Sequence, residues 1–308
     1  GEAIGKTAGF IAARLIGLGR EVFHPFRRTA DGAPAPVPEP GASPGIESYL
    51  GRVQPSTPVR FQVLDYGPGV HTLSEPETVE AVLDLPRPGG STVRWINIDA
   101  PDPETVDRIC RHAGVHTLAA EDVLNTSQRP KLESFEDHHL VVIRQIRFQD
   151  SRLRNEQLTL FCFRGLLISF QEEAGDVFDP VRQRIARDNS RFREKDADYL
   201  LYALIDSVVD HLFPLLEAYG TALEELEEEI YLHARPSSQQ RLFSMKRDLS
   251  LTRRAIWPIR EVVDGLYRDE SGRVPDYLKP FLRDVQEHIM QVVDLLEAYR
   301  EAAASLSD

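Results

Sequence analysis

Two regimes of apolar spacing divide the chain. Over the first, apolar and β-branched residues alternate or run together in short bursts: "VRFQVLDY" (59–66), "TVRWINID" (92–99), "HLVVIRQIRF" (139–148), "EQLTLFCF" (156–163) and "GLLISFQE" (165–172). Such bursts predict strands, and the last two adjoin at Arg164 and Gly165, a tight-turn pair. Two helical stretches are interleaved. "APDPETVDRICRHAG" (100–114) offers Asp102 as N-cap, Pro103 for the first turn and Gly114 near the end, and "DPVRQRIARD" (179–188) follows the strands. The mixture predicts an α/β (α+β) N-terminal domain over about residues 59–195.

From Ala197 onward the spacing changes to steps of three and four. Leu201, Ile205, Val208, Leu212, Leu215 and Tyr219 form one seam, and Leu242, Met245, Leu249, Thr252, Ile256, Ile259, Val263 and Leu266 a second. The third is a strict heptad: Leu278, Leu282, Val285, Ile289, Val292, Leu296, Tyr299 and Ala303. Residues 196–308 are therefore predicted to be long antiparallel helices ending in a coiled-coil-like stalk over 276–308. A helix of that length spans roughly 50 Å, longer than a compact domain requires. Pro214 and Pro258 should bend or interrupt their helices, whereas Pro280 suits a first turn. No Gly, Asn or Pro supplies a stop after "HIMQVVDLLEAYREAAASLSD".

Residues 1–58 follow neither pattern. "GEAIGKTAGFIAARLIGLGREVFHPFRR" reads as a basic amphipathic helix suited to a membrane surface or another subunit, and a Pro/Gly-rich linker extends over 29–58. "GEAIGKT" is one residue short of a phosphate-binding loop and has no strand before it. No run of about 18 apolar residues occurs, so no bilayer-spanning helix is expected within these residues.

Charge changes the choice of partner. With 49 acidic against 36 basic residues in 308, the formal charge is -13, which disfavours nucleic acid and favours cations. The two cysteines, Cys110 and Cys162, are too isolated for a disulfide framework or a thiolate zinc site, which suits a reducing compartment. Glutamates crowd "EELEEEIY" (224–231), while the next helix carries Lys246, Arg247, Arg253, Arg254 and Arg260. Antiparallel helices so charged would pair along their length, or the glutamates would concentrate cations.

Enzyme signatures are missing: the nine histidines show no H-E-x-x-H, and neither G-x-S-x-G nor a Cys-His arrangement is present, so no enzyme is expected. His138 and His139 open a strand and must face opposite ways. Carboxylates offer more. Asp206 with Asp210, and Asp284 with His288, sit one helical turn apart and off the apolar seams. They are either solvent-facing or ligands for Mg²⁺, which keeps its waters and takes only one or two carboxylates directly. One carboxylate from each of two subunits would let an ion relieve their repulsion, a reversible glue.

Five ordered blocks carry a resemblance to a known family. "AEDVLNTSQRPKLE" (120–133), "GDVFDPVRQRI" (175–185), "DADYLLYALIDSVVDHLFPLLE" (196–217), "RRAIWPIREVV" (253–263) and "RDVQEHIMQVVDLLEAYRE" (283–301) resemble the cytoplasmic part of the CorA family of magnesium and cobalt transporters. The resemblance implies a homopentamer on the cytoplasmic face of the bacterial inner membrane, with the stalk running on into transmembrane helices that carry a Gly-Met-Asn loop. It also implies regulatory divalent-cation sites between neighbouring subunits, carried here by Glu121, Asp122, Asp206 and Asp284, with Asp210 and His288 as nearby candidates. Bound Mg²⁺, or Co²⁺, would hold subunits together and the pore shut; its loss would let carboxylate repulsion loosen the ring. Thr117 stands where the family often has Pro. Three alternatives stay open: the zinc-transporting branch of the superfamily, with Zn²⁺ as cargo; a soluble oligomeric scaffold; and a phosphoesterase using paired carboxylates.

Overall fold

The computed structural model describes residues 45, 46, 49 and 58–306, apart from 127, 150, 151, 234 and 235. The basic N-terminal helix, all of the linker except residues 45, 46, 49 and 58, and the last two residues of the predicted stalk, Ser307 and Asp308, lie outside the described residues.

A seven-stranded sheet organises the N-terminal half. Its strands are β1 (Arg60–Gly67), β2 (Val70–Ser74), β3 (Val93–Asp99), β4 (Lys131–Ser134), β5 (His138–Gln149), β6 (Arg152–Phe163) and β7 (Leu166–Gln171). They lie in the order β2-β1-β3-β7-β6-β5-β4, parallel at β3–β7 and antiparallel at every other pairing. The five strands expected from apolar patterning are all present. The two that patterning missed, β2 and β4, are the sheet edges, where exposed side chains leave no apolar alternation to read.

Side-chain parity along each strand sorts the core into two layers. Phe61, Val63, Ile96, Ile98, Leu140, Val142 and Ile168 face α1 (Val79–Leu83), α2 (Pro103–His112) and α3 (Thr117–Leu124). Leu64, Tyr66, Val93, Trp95, Val141, Ile143 and Leu160 face the opposite way. There they meet α4 (Asp179–Ala186), α5 (Ala197–Asp210), α6 (Leu212–His233), α7 (Pro236–Ile256), α8 (Ile259–Tyr267) and α9 (Lys279–Ser305). Strands covered on both faces bury consecutive residues, which is why "LVVI" in β5 is apolar without alternation. The α2 cap forms as expected: Asp102 Oδ1 accepts from Thr105 N at 2.6 Å, with Pro103 behind it. Gly165 takes the left-handed φ of 69° that the β6–β7 turn requires.

The prolines punctuate the helical layer. α5 stops at Asp210 and α6 restarts at Leu212 with Pro214 in its first turn; Pro258 separates α7 from α8; Pro280 sits in the first turn of α9. The heptad residues Leu282, Val285, Ile289, Val292, Leu296 and Ala303 are buried, packed on α5, α6, α7 and α8 of the same chain. This seam is therefore used inside the chain, which removes the heptad surface an oligomerising scaffold would need. A short 3₁₀ turn, Asp276–Leu278, precedes α9, so the continuous helix is shorter than the sequence predicts. Ala197–Leu232 is long and apolar enough to cross a membrane by composition, yet it is mostly buried within this layer.

Charge pairing between the glutamate run and the next helix is seen at their connection. Glu229 meets Arg241 at 2.5 Å, near the α6–α7 connection. Arg253 instead pairs with Glu297 on α9, and Arg260 lies 3.9 Å from Asp264 in its own helix.

Candidate metal site

Local sequence sets the site up. Asp196 caps α5 by accepting from Ala197 N at 2.7 Å, which fixes where the helix begins and hence which face Asp206 and Asp210 occupy. Leu282, Val285 and Ile289 hold α9 against the core, so Asp284 and His288, which lie between them in sequence, come to the rim of the α5–α9 contact. Asp206, Asp284 and His288 each present one ligand atom there, all within 4.8 Å of one another. His288 Nδ1 lies 3.4 Å from Asp210 Oδ1, and among the described residues that nitrogen has no hydrogen-bond partner.

The electrostatics follow from burial. Asp206 is only 9% exposed. Burial, then the charge of Asp210, pushes its carboxyl up to about 6, with His288, the Tyr202 hydroxyl and Arg184 pulling the other way. Tyr202 donates to Asp206 Oδ2 at 3.3 Å. Asp210 is also raised, by burial first, with His288 opposing and Asp284 adding to the rise. Two carboxylates less than 5 Å apart repel by about 3 kcal/mol at an effective dielectric of about 20. A divalent cation reverses the sign of that interaction. Three carboxylates and an imidazole suit Mg²⁺ through oxygen and water, while the imidazole also admits Co²⁺ or Zn²⁺.

Four of the six predicted residues, Asp206, Asp210, Asp284 and His288, thus converge. Glu121 and Asp122 do not join them, because α3 lies across the sheet from α5 and α9. Glu121 Oε2 accepts from Gly45 N at 2.6 Å. Asp122 is paired with Lys131 Nζ at 2.7 Å and also accepts from Gln128. Sequence reasoning missed three neighbours: Tyr202; Arg184, which acts through its charge; and Phe213, whose ring packs edge-on against His288 at 5.8 Å. Tyr202 was legible, one turn before Asp206 on the same helix. Arg184 comes from α4 and had no such signal.

Comparison with known proteins places this geometry in context. The family model described as "CorA-like Mg2+ transporter protein" matches residues 90–308. The cobalt/magnesium transport protein CorA of Thermotoga maritima is 36% identical over 271 residues, 87% of this chain and 76% of that protein. Among solved structures, the soluble domain of CorA from Methanocaldococcus jannaschii superposes with a TM-score of 0.69 at 16% identity, covering 83% of this chain and 97% of that one. The ZntB cytoplasmic domain from Vibrio parahaemolyticus gives 0.64 at 16% identity, covering 82% and 96%. At that identity the last two speak for the fold alone.

Proposed function

The chain belongs to the CorA-like Mg²⁺ transporter family, and on that ground we propose that it is the cytoplasmic, cation-sensing part of a homopentameric membrane transporter for Mg²⁺ and Co²⁺. The observation that carries the sensing role is the convergence of Asp206, Asp284 and His288 within 4.8 Å, with Asp210 beside them, on a chain of net charge -13. Such a group is poorly stable without a cation and stable with one. In the assembled ring, Glu121 and Asp122 of a neighbouring subunit face this cluster, and the shared ion ties the two subunits together. High cytoplasmic Mg²⁺ keeps the ring closed; when it falls, the carboxylates repel and the subunits separate. Lys131 competes with the ion for Asp122, which keeps the affinity low enough for release.

Calorimetric titration of Mg²⁺ into the metal-stripped chain tests this reading. Saturable binding is expected, and the Asp206→Asn, Asp284→Asn double variant should lose at least about tenfold in affinity. Mg²⁺-dependent protection from protease should also vanish in an Asp122→Ala, Asp284→Ala variant. An undiminished response in both would remove these residues from the site. His288 supports a second reading, Zn²⁺ as cargo, because imidazole binds Zn²⁺ better than Mg²⁺; uptake assays with each ion decide between them.

A further inference from the structure

A concavity of about 380 Å³ opens where the segment after α4 passes beside α5 and the start of α9. Its lining is unusual for so acidic a chain: it contains Arg184, Arg187 and Arg191 and no carboxylate. Among the described residues these three guanidinium groups form no ion pair. Their sequence neighbours Arg182 and Arg193 do, with Asp176 at 2.5 Å and Asp188 at 3.6 Å. Arg184 is held over the ring of Phe192 at 5.1 Å, so its charge is placed in advance of any ligand.

The rest of the wall is aromatic. Phe192 and Tyr199 meet edge-on at 4.9 Å, and Phe281, half-buried, stands against Tyr199 at 5.6 Å and Tyr202 at 5.3 Å. Guanidinium forks match the oxygens of a phosphate, and an aromatic wall takes the face of a planar base. A cavity of this size lies at the lower end of the range for small-molecule sites, about 300–1,000 Å³.

We propose that this cavity binds a nucleoside phosphate, its phosphates on Arg184, Arg187 and Arg191 and its base against the half-buried ring of Phe281, which the buried Tyr199 backs. The arginines supply the affinity, and the aromatic wall separates a nucleotide from a bare phosphate. This site adjoins the cation cluster through Tyr202 and Arg184, but none of its charged residues is a candidate metal ligand.

The test is calorimetry on the whole chain with the divalent ions chelated, using ADP, pyrophosphate, adenosine and a short-chain phosphatidylglycerol as probes. ADP should bind with a dissociation constant below about 1 mM, more tightly than pyrophosphate, adenosine or the lipid. Arg187→Gln with Arg191→Gln, both at exposed positions, should weaken ADP at least about tenfold while leaving the melting temperature unchanged. Phe281→Leu should reduce ADP binding to the level of pyrophosphate. Four results would overturn the proposal: no ADP binding up to about 1 mM, ADP binding unaffected by the arginine variants, pyrophosphate binding as tightly as ADP, or the phospholipid binding more tightly than either.

Discussion

Replacing Asp206 by Asn separates the cation cluster's electrostatics from its packing. Asn keeps the size of the side chain and an oxygen that can accept from the Tyr202 hydroxyl, so the change removes charge and little else. In the metal-free fold the Asp206 carboxyl sits at about 6, against an ordinary value of 3.8. A raised carboxyl favours the protonated form in the folded state. Its ionisation is therefore cost-free to stability below about pH 4, where both states are protonated, and costs progressively more as pH rises towards 6. Ionising a carboxyl raised this far destabilises the fold by about 3 kcal/mol at neutral pH, an upper figure because the site is at a rim. The Asn variant should thus be more stable than the parent in chelator at pH 7.5. A gain of about 2 kcal/mol would raise the melting temperature by roughly 4–8 °C. The two proteins should converge near pH 4. In Mg²⁺ the gap should narrow, because the parent gains about 2.7 kcal/mol at a hundredfold excess over its dissociation constant, whereas a variant that binds about tenfold more weakly gains only about 1.4 kcal/mol. Urea titrations at several pH values, with chelator or Mg²⁺, measure all of this. An Asn variant that is less stable than the parent in chelator, with the same slope between pH 4 and 6, would refute the reasoning.

Three further outcomes follow from packing. A Cβ on Gly220 would lie 2.7 Å from the Tyr299 hydroxyl, so Gly220→Ala should cost about 1–3 kcal/mol, and adding Tyr299→Phe should recover part of it in a double-mutant cycle read by denaturation. Leu296 is fully buried in the α9 seam; Leu296→Ala should cost about 2–5 kcal/mol, seen as a lower urea midpoint. Asp122→Ala in metal-free buffer should cost only about 1 kcal/mol, because Lys131 keeps Glu133 at 2.7 Å as a second partner; a much larger loss of thermal stability would mean that the Lys131–Asp122 pair anchors α3.

Legibility tracked burial. The central strands and the long helices could be read directly, because a residue packed against a core repeats with its element's period: the alternation of Phe61 and Val63 in β1, or the spacing of Leu282, Val285 and Ile289 in α9. Edge strands β2 and β4 and the short helices α1 and α3 bury too few side chains to leave such a period. For the same reason the heptad in α9 told which face is buried but not against what, and the covering partner proved to be α5 to α8 of the same chain. Charge pairs were the least legible, since long side chains choose among several partners: Arg253 turned from the glutamate run to Glu297.

The candidate site divides along the same line. Spacing alone put Asp206 with Asp210, and Asp284 with His288, on single helix faces, because a side chain four residues on returns to the same side. That these two faces meet, leaving Asp206 buried and its carboxyl raised, depends on α5 and α9 docking together although more than seventy positions separate them in the chain. The same sheet that brings those helices side by side sends Glu121 and Asp122 to its other face, as no local pattern could have told. Periodicity records which side of an element avoids water; only the packed fold decides which avoided sides, and which charges at their rims, come together.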